Sequence, residues 1–411
     1  MPDAYVAIAR KWRPQTLEEI SGQSHVTRTL GNALRSGRLH HAFLFTGARG
    51  VGKTTAARAL ARALNCVSGP TLTPCGACPP CREILAGNFQ DVIEIDGASN
   101  NSVDDIRDLR EGVRYAPSVA RFKVYIIDEV HMLSKGAFNA LLKTLEEPPP
   151  HVKFIFATTE VNKIPETIIS RVQRFDFKRI PAPAVVERLR LICEAEGVGI
   201  SEGALRMVAR AGEGSMRDSQ SLLDQVISFG GDHPTDAEVA DILGLVDRKV
   251  LHEMLRGILE GDAARCLDAV ATVYEGGYEI AQFTAELLEL ARDAALVALS
   301  PKAHRHIDAP AEERERLVHL AQGLPPEQLA RTFHVLLEVH DQVAHSARPR
   351  MVLEMAVARL AAIRPAEPLA GLVDRLAELE RRLRGAAVAA PVATRARPRE
   401  PGSDKEGERG R

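Results

Sequence analysis

The stretch Thr46-Gly-Ala-Arg-Gly-Val-Gly-Lys-Thr-Thr55 decides the fold of this 411-residue chain. It carries the spacing Gly-x4-Gly-Lys-Thr between Gly47 and Thr54, directly after a short apolar run that starts at His41. An alanine-rich segment with helical periodicity follows at residues 55–64. The order strand, glycine-rich loop, helix is that of a P-loop, in which backbone N–H groups and the helix N-terminus face phosphate oxygens. The motif and its context together predict a nucleotide phosphate site.

The loop also predicts which groups touch the nucleotide. We expect Lys53 to reach the β- and γ-phosphate oxygens and the Thr54 hydroxyl to bind Mg²⁺. The backbone of the whole loop should surround the phosphates. The residues assigned to this cradle are Gly47, Ala48, Arg49, Gly50, Val51, Gly52, Lys53, Thr54 and Thr55.

An acidic pair, Asp128-Glu129, follows another apolar run, Lys123-Val-Tyr-Ile-Ile. Asp128 at the carboxyl end of a strand could hold magnesium, and Glu129 could polarise the attacking water. An acidic pair can also simply begin a helix, but the preceding strand and the P-loop favour the catalytic interpretation. Thr158-Thr159 ends the next predicted strand, where a hydroxyl could contact the γ-phosphate or the water, although such residues often have no chemical role.

Strands alternate with helices through residues 1–179. Beyond the segments already named, the pattern predicts strands at 91–96 and 152–159 and helices at 103–113 and 137–145. Apolar strands separated by crossover helices indicate an α/β fold with a doubly wound parallel sheet.

The rest of the chain reads as helical, with few aromatic residues (4% overall) and much Ala, Leu, Arg and Glu. We expect a small helical domain at 180–244, a second one at 245–363, and a short helix with a disordered tail from Gly385 within 364–411. Five leucines at heptad spacing in that last helix, from Leu369 to Leu383, could dimerise. With barely two heptads, a terminal helix without a partner is favoured.

Four cysteines lie just beyond the P-loop helix: Cys66, Cys75, Cys78 and Cys81. The C-x2-C-x2-C spacing with a fourth cysteine upstream suits one tetrahedral ion, and we favour structural zinc. The alternatives are a disulfide, an iron–sulfur cluster and unbound core cysteines. The N-terminus lacks the apolar region of a signal peptide, which predicts reduced thiols, and no other feature suggests redox chemistry. The Pro79-Pro80 pair and nearby glycines predict a loop.

Composition excludes few other functions. The formal net charge of −2 argues neither for nor against nucleic acid. No apolar run approaches the roughly 20 residues needed to cross a bilayer. We therefore expect a cytoplasmic protein without a membrane partner.

Arg171 and Arg217 stand alone in turn or helical segments, where composition favours surface salt bridges.

Several segments together resemble the gamma/tau family of bacterial DNA polymerase III, the ATPase motors of the sliding-clamp loader. They are Val6–Pro14 (V-A-I-A-R-K-W-R-P), Gly22-Gln-Ser-His-Val, the P-loop, the four cysteines, Asp128-Glu-Val-His-Met-Leu-Ser, Ala140-Leu-Leu-Lys-Thr-Leu-Glu-Glu-Pro-Pro and Ser170-Arg171. The resemblance covers roughly residues 4 to 363 and is densest up to Arg217. It implies the AAA+ fold of P-loop NTPases with an inserted zinc knuckle (66–81), a lid at 180–244 and an all-α collar, or oligomerisation domain, at 245–363.

The resemblance also implies roles for single residues. Thr159 would be the first sensor, and Arg217 the second sensor on the lid. Arg171 would be an arginine finger that enters the ATP site of a neighbouring subunit, and Val172 replaces the cysteine usual after Ser-Arg without affecting the arginine. The catalytic set is Lys53, Asp128, Glu129, Thr159, Arg171 and Arg217. Thr54 and Asp128 would bind Mg²⁺. The adenine would lie against Ala7, Arg10 and Lys11, near Pro14 and Gly22-Gln23.

The implied activity is DNA-stimulated hydrolysis of ATP to ADP and phosphate, with ATP, Mg²⁺ and Zn²⁺ bound and no polymerase active site in this chain. The implied partners are further copies of the chain, the delta and delta-prime subunits, the beta sliding clamp and primer–template DNA. The polymerase core and the helicase would join only in a longer form. Arg107, Arg110 and Arg114 could face DNA phosphates, or form a solvated face paired with Asp104, Asp108 and Glu111.

Two other functions remain open. Another AAA+ motor, for branch migration or helicase loading, would share the P-loop and the acidic pair but not the four cysteines. A non-hydrolysing arm of the clamp loader would usually have a degraded P-loop, whereas Gly47, Gly52, Lys53 and Thr54 are all present.

Overall fold

The structure is a computed structural model that describes residues 5–300, 302, 307, 311–322, 324–362 and 369–388. The chain divides into two compact units, Met1–Asp247 and Arg248–Arg411. Among the described residues, no helix is both long and apolar enough to cross a membrane.

Within these residues, one sheet of five parallel strands forms the centre of the first unit. The strands are β1 (Ala42–Thr46), β2 (Val92–Asp96), β3 (Lys123–Asp128), β4 (Val152–Thr158) and β5 (Gln173–Asp176), in the spatial order β2-β3-β4-β1-β5. Four of them confirm the strands predicted from sequence. The prediction misses β5, because this four-residue edge strand buries only Phe175 and has no apolar run.

Helices cover both faces of the sheet. The first helix, α1 (Ile8–Lys11), packs instead on the bundle described below. The helices associated with the sheet are α2 (Ser24–Ser36), α3 (Lys53–Asn65), α4 (Pro79–Ala86), α5 (Val103–Val113), α6 (Lys135–Glu146) and α7 (Glu166–Ile169), with short 3-10 turns at Val130–Met132 and Val161–Lys163. Alternate side chains of β1 enter two separate cores. Phe43 and Phe45 pack with α2 and α3, whereas Ala42 and Leu44 pack with α5 and α6. This confirms the doubly wound α/β fold.

A small helical bundle completes the first unit. It consists of α8 (Ala182–Glu196), α9 (Glu202–Ala211), α10 (Met216–Gly230) and α11 (Asp236–Ile242). Ile8 of α1 is buried in the core of this bundle. Lys11 forms an ion pair with Glu196 at 2.7 Å, and Trp12 Nε1 donates to the same carboxylate at 2.6 Å. The N-terminal segment is thereby fixed to the bundle.

The second unit is helical throughout its described residues. Its helices are α12 (Arg248–Glu260), α13 (Ala263–Glu275), α14 (Ile280–Leu299), α15 (Ala311–Ala321), α16 (Pro326–His345), α17 (Pro349–Ala362) and α18 (Leu369–Val388). The prediction of a disordered tail from Gly385 is wrong for residues 385–388, because α18 continues through them. The remainder of that predicted tail lies outside the described residues. Leu376, Leu379 and Leu383 of the leucine seam are exposed.

Candidate active site

The register of the sheet brings the predicted catalytic segments to one edge. Thr46 at the end of β1 is paired with Thr158 at the end of β4. On the other side of β4, Ile127 is paired with Phe156, so that Asp128 follows at nearly the same level. The carboxyl ends of β1, β3 and β4 are therefore neighbours, as expected for a ligand site in an open parallel sheet.

The P-loop folds around its own lysine. Lys53 is the first residue of α3, and its residue exposure is only 6%. Its ammonium donates to the backbone oxygens of Gly47 at 2.9 Å and Ala48 at 2.8 Å. Burial lowers the pKa of Lys53, and the carboxylates of Glu129 and Asp128 act in the opposite direction. Phosphate oxygens arriving in the loop could replace the two carbonyl partners.

Thr54 and Asp128 supply oxygen ligands side by side. The Thr54 hydroxyl donates to Asp128 Oδ2 at 2.5 Å, and Asp128 Oδ1 accepts the Glu129 N–H at 2.9 Å. A hydroxyl and a carboxylate are the hard oxygen donors that Mg²⁺ prefers. The residues predicted to serve magnesium therefore fit that ion chemically.

Glu129 and Thr159, predicted separately, form one hydrogen-bonded group. Glu129 has a left-handed backbone with φ 43°. Its Oε2 accepts the Thr159 N–H at 3.3 Å and the Thr159 hydroxyl at 3.1 Å. The Nδ1 atom of His131 lies 3.3 Å from the same oxygen. Sequence reasoning missed His131 as a functional residue; the only signal was its place in the segment Asp-Glu-Val-His.

The helical bundle of α8–α11, predicted above to be a lid, meets the P-loop at Gly50. The backbone N–H groups of Met216 and Arg217 donate to the Gly50 carbonyl at 3.1 and 3.4 Å. Gly50 has φ +74°, and a Cβ atom built there would lie 1.8 Å from Ser215 Oγ. Only glycine therefore permits this contact. Arg217 is the second residue of α10, directly beside the loop, and has an exposed side chain.

The predicted adenine segment lies against the lid. Ala7 and Arg10 are exposed at α1, while Lys11 is held by Glu196. The next arginine, Arg13, is half-buried, and burial lowers its pKa, as do the nearby charges of Arg58 and Arg217. The N-terminal segment thus reaches the surroundings of Arg217.

Gln23, also assigned to the adenine region, is buried and hydrogen-bonded to two backbone segments. Its side-chain amide donates to the Lys178 carbonyl at 2.7 Å, accepts the Lys178 N–H at 3.1 Å and donates to the Val51 carbonyl of the P-loop at 3.5 Å. This pairing fixes the chain just after the sheet, where the lid begins. Gln23 therefore has a structural contact to the backbone that leads into the lid.

Arg171 lies near the amino-terminal ends of the strands, whereas the P-loop lies at their carboxyl-terminal ends. It precedes β5, whose first residue, Gln173, is paired with Phe43 near the start of β1. The P-loop begins with Gly47, after the end of β1. At the rise of an extended strand, these two levels are about 13 Å apart. Arg171 is therefore badly placed to reach the phosphates of its own chain.

The Arg171 guanidinium is held by its own domain. It donates to Glu146 Oε1 at 2.7 Å, to the Thr167 carbonyl at 2.7 Å and to Ser170 Oγ at 3.1 Å. The Arg171 side chain is 34% exposed and that of Glu146 49% exposed. The salt bridge expected from composition is present, and it leaves the arginine at the surface.

The four cysteines converge into one cluster. The sulfur atoms of Cys66, Cys75, Cys78 and Cys81 all lie within 4.8 Å of one another. Tetrahedral zinc with Zn–S bonds of about 2.3 Å places its sulfurs about 3.8 Å apart, so the cluster fits zinc after a small contraction. The predicted loop is wrong at Pro79-Pro80, which form the first turn of α4. Proline is accepted there because the missing N–H has no partner in a first turn.

The thiols of the cluster differ in their ionisation. The backbone N–H groups of Cys78 and Ala77 donate to the Cys75 sulfur and lower the pKa of Cys75 to about 6. Burial raises the pKa of Cys81 to about 12. Ionisation of all four thiols would therefore need a cation to neutralise the charge, and a divalent metal ion supplies it.

The predicted arginine face of α5 is partly engaged. Arg107 forms an exposed ion pair with Asp104 at 2.8 Å. Arg114 is exposed, whereas Arg110 is half-buried. The structure therefore contains one of the pairs expected for a solvated face.

Models of protein families match almost the whole chain. Residues 22–181 match "DNA polymerase III, delta subunit", residues 184–232 match "DNA polymerase III clamp loader subunit, ATPase lid domain", and residues 235–376 match "DNA polymerase III subunits gamma and tau domain III".

Individual relatives are similar over most of the chain. The DNA polymerase III subunit gamma of Buchnera aphidicola is 38% identical over 356 residues, which are 87% of this chain and 98% of that protein. The chain belongs to the DNA polymerase III gamma/tau family. Two longer members of the gamma/tau family, the tau subunits of Bacillus subtilis and Escherichia coli, are 43% and 44% identical over 87% and 89% of this chain. The chain spans 63% and 57% of their respective lengths.

Among solved structures, a Holliday junction branch migration motor from Thermotoga maritima superposes with a TM-score of 0.42 and 21% identity, over 59% of this chain and 79% of that chain. We draw no functional conclusion from this likeness.

Replacing Gly50 by alanine in this member of the gamma/tau family should weaken ATP binding through the lid. The new Cβ would strain the backbone and also push Ser215 away from the loop. We expect the Kd for ATP to rise about tenfold, equivalent to about 1.4 kcal/mol, in a titration with a fluorescent ATP analogue.

Gly37→Ala is the matched control for this substitution. Gly37 has φ +66°, and nothing lies within 4 Å of an added Cβ. The Gly37→Ala variant should therefore lose only about 1 kcal/mol of stability, from backbone strain. Equal ATP affinities in the two variants would contradict a functional contact between Gly50 and the lid.

Proposed function

We propose that this chain is the ATP-hydrolysing motor of the DNA polymerase III clamp loader, which opens the sliding clamp and loads it on primed DNA. One observation carries the proposal. The residues predicted to bind phosphate and Mg²⁺ lie together at the carboxyl ends of the strands, while the Ser170-Arg171 pair lies near their amino ends. Each chain would hold one ATP and complete the site of a neighbour. Membership of the gamma/tau family supports the same function.

Within one chain, the groups at the carboxyl edge would bind ATP and activate water. Lys53 would exchange its two carbonyl partners for phosphate oxygens. Thr54 and Asp128 would hold Mg²⁺, which when bound neutralises phosphate charge. Glu129 would orient the attacking water, and Thr159, hydrogen-bonded to Glu129, would contact the γ-phosphate.

The two arginines would sense assembly and nucleotide. Arg171 would leave Glu146 and stabilise the charge that spreads over the γ-phosphoryl oxygens of the neighbour's ATP. Arg217 lies in the first turn of α10 beside Gly50, so its guanidinium would close on the γ-phosphate of its own chain. Hydrolysis would then depend on assembled neighbours, and DNA would act by aligning them.

We further propose the domain boundaries and partners. The ATPase domain at 1–179, with the cysteine module at 66–81, and the lid at 180–244 fall within the compact unit Met1–Asp247. The collar at 245–363 would join copies of the chain to the delta and delta-prime subunits, and 364–411 would follow it. The assembly would bind the beta clamp and primer–template DNA in the cytoplasm, with α5 as one candidate DNA contact.

Two observations favour this function over the other candidates. The cysteine cluster and the match to gamma and tau domain III are not expected of a branch-migration or helicase-loading motor. The paired Thr54 and Asp128 and the enclosed Lys53 argue against an arm that does not hydrolyse ATP.

The cysteine cluster should bind structural zinc. We expect about one zinc per chain in purified protein by metal analysis, and a lower content and a lower thermal midpoint after Cys78→Ser. Cys193→Ser is the control for zinc content, because Cys193 is buried outside the cluster. Iron in the purified protein, or no metal at all, would contradict the zinc assignment.

Substitution of Arg171 should separate ATP binding from hydrolysis. In a loader reconstituted with delta, delta-prime, clamp and primed DNA, Arg171→Ala should keep its ATP affinity but lose about 10³-fold in turnover. Lys53→Ala should lose ATP binding itself. Arg174→Ala, which removes a surface arginine within β5, should leave turnover near normal.

A mixture of the Lys53→Ala and Arg171→Ala chains tests the trans arrangement. Some interfaces in such a mixture pair an intact loop with an intact arginine, so part of the turnover should return. Normal turnover in Arg171→Ala alone would contradict the finger assignment.

A further inference from the structure

His131 is a buried side chain with no role in the site described so far. It lies in the 3-10 turn after the acidic pair, and its side chain is only 6% exposed. Its Nδ1 atom is 3.3 Å from Glu129 Oε2 and 3.0 Å from the Thr158 hydroxyl. Its Nε2 atom is 3.3 Å from Glu160 Oε1. Both ring nitrogens therefore face polar groups at the catalytic edge of the sheet.

The ring is anchored from two directions. The Thr158 hydroxyl is fully buried and also accepts the Glu160 N–H at 3.0 Å. The Thr158 carbonyl accepts the N–H of Gly47, the first glycine of the P-loop, at 3.3 Å. On the other side, Glu160 is held by Lys163 at 2.9 Å. These contacts leave the imidazole little freedom to turn.

Glu129 has a more exposed side chain than His131. Its side chain is 34% exposed and extends from a short turn. Two donors of Thr159 converge on one of its oxygens, Oε2, and His131 Nδ1 lies 3.3 Å from the same oxygen. Within the described part of the chain, Oε1 has no hydrogen-bond partner, so this oxygen remains available to a water molecule. Such an arrangement fixes the carboxylate and leaves one oxygen for chemistry.

We propose that His131 is a positioning residue that sets the orientation of Glu129 for activation of the attacking water. This inference rests on the proposed ATP hydrolysis. His131 acts through Glu129, with Thr158 and Glu160 holding the ring. Misplacement of a reacting group by about 1 Å can cost about a hundredfold in rate. Loss of the ring should therefore affect the chemical step and leave ATP binding intact.

Three substitutions distinguish positioning from packing. His131→Ala removes both ring nitrogens. His131→Asn keeps a donor close to the place of Nδ1, facing Glu129 and Thr158, whereas His131→Gln keeps a donor close to the place of Nε2, facing Glu160. His151→Ala is the matched control, because His151 is a half-buried histidine before β4 whose ring faces the Val113 carbonyl at 3.3 Å.

The measurements are single-turnover ATP hydrolysis in the reconstituted loader, Kd for ATP and the thermal midpoint of each variant. We expect His131→Ala to lose about tenfold or more in hydrolysis rate, with the Kd for ATP changed by less than about twofold. His131→Asn should recover most of the rate, and His131→Gln clearly less. His151→Ala should hydrolyse ATP at the wild-type rate. If the alanine variant does not fold, the difference between Asn and Gln decides the question.

Three results would overturn the inference. One is a wild-type hydrolysis rate in His131→Ala. Another is an equal loss in the Asn and Gln variants that follows their loss of thermal stability, since this indicates packing alone. The last is weakened ATP binding with an unchanged hydrolysis rate. Absence of hydrolysis by the wild-type loader would instead overturn the proposed function, and this inference with it.

Discussion

The parallel register of the sheet is the constraint on which the other features depend. Because all five strands run in one direction, the carboxyl ends of β1, β3 and β4 form one edge. The P-loop, the acidic pair and Thr158-Thr159 follow those ends and meet there. The same direction places Arg171, which precedes β5, near the other edge. Under the proposed function, one domain would thus present two functional ends of the sheet, separated by the length of a strand, to its neighbours.

The lid is joined to this sheet at defined points. The Gly50 carbonyl accepts N–H groups from the start of α10, so the P-loop and the lid share a hydrogen-bonded contact. Ile8 is buried in the lid core, and Glu196 holds both Lys11 and Trp12. A displacement of the loop on nucleotide binding would therefore also displace the lid and the N-terminal segment. This coupling requires glycine at position 50, because a larger residue there would clash with Ser215.

Local patterns predicted much of the fold. The strand Lys123–Asp128 and the helix Val103–Val113 have the bounds expected from apolar periodicity. Short or edge elements were harder: β5 has one buried side chain, and the helix after Cys78 begins with two prolines. The periodicity of a sequence records burial, and these segments bury little or start with unusual residues.

The candidate site was predictable only in part. The P-loop and the acidic pair depend on adjacent residues, so their pattern is visible in the sequence. The contacts of Glu129 with Thr159 and of His131 with Thr158 depend on which strands are neighbours, which no local pattern records. For Arg171, composition favoured a salt bridge and the family resemblance a finger. The bond to Glu146 is present, and its surface position is compatible with both.

The most direct test is a structure of the assembled loader with a non-hydrolysable ATP analogue and primed DNA, from which the contacts of each Arg171 guanidinium are measured. We expect the bond to Glu146 to be broken and the guanidinium to lie within hydrogen-bond distance of the γ-phosphate bound by the neighbouring chain. Arg171 still paired with Glu146 in every chain, with another cation at that phosphate, would contradict the shared-site mechanism.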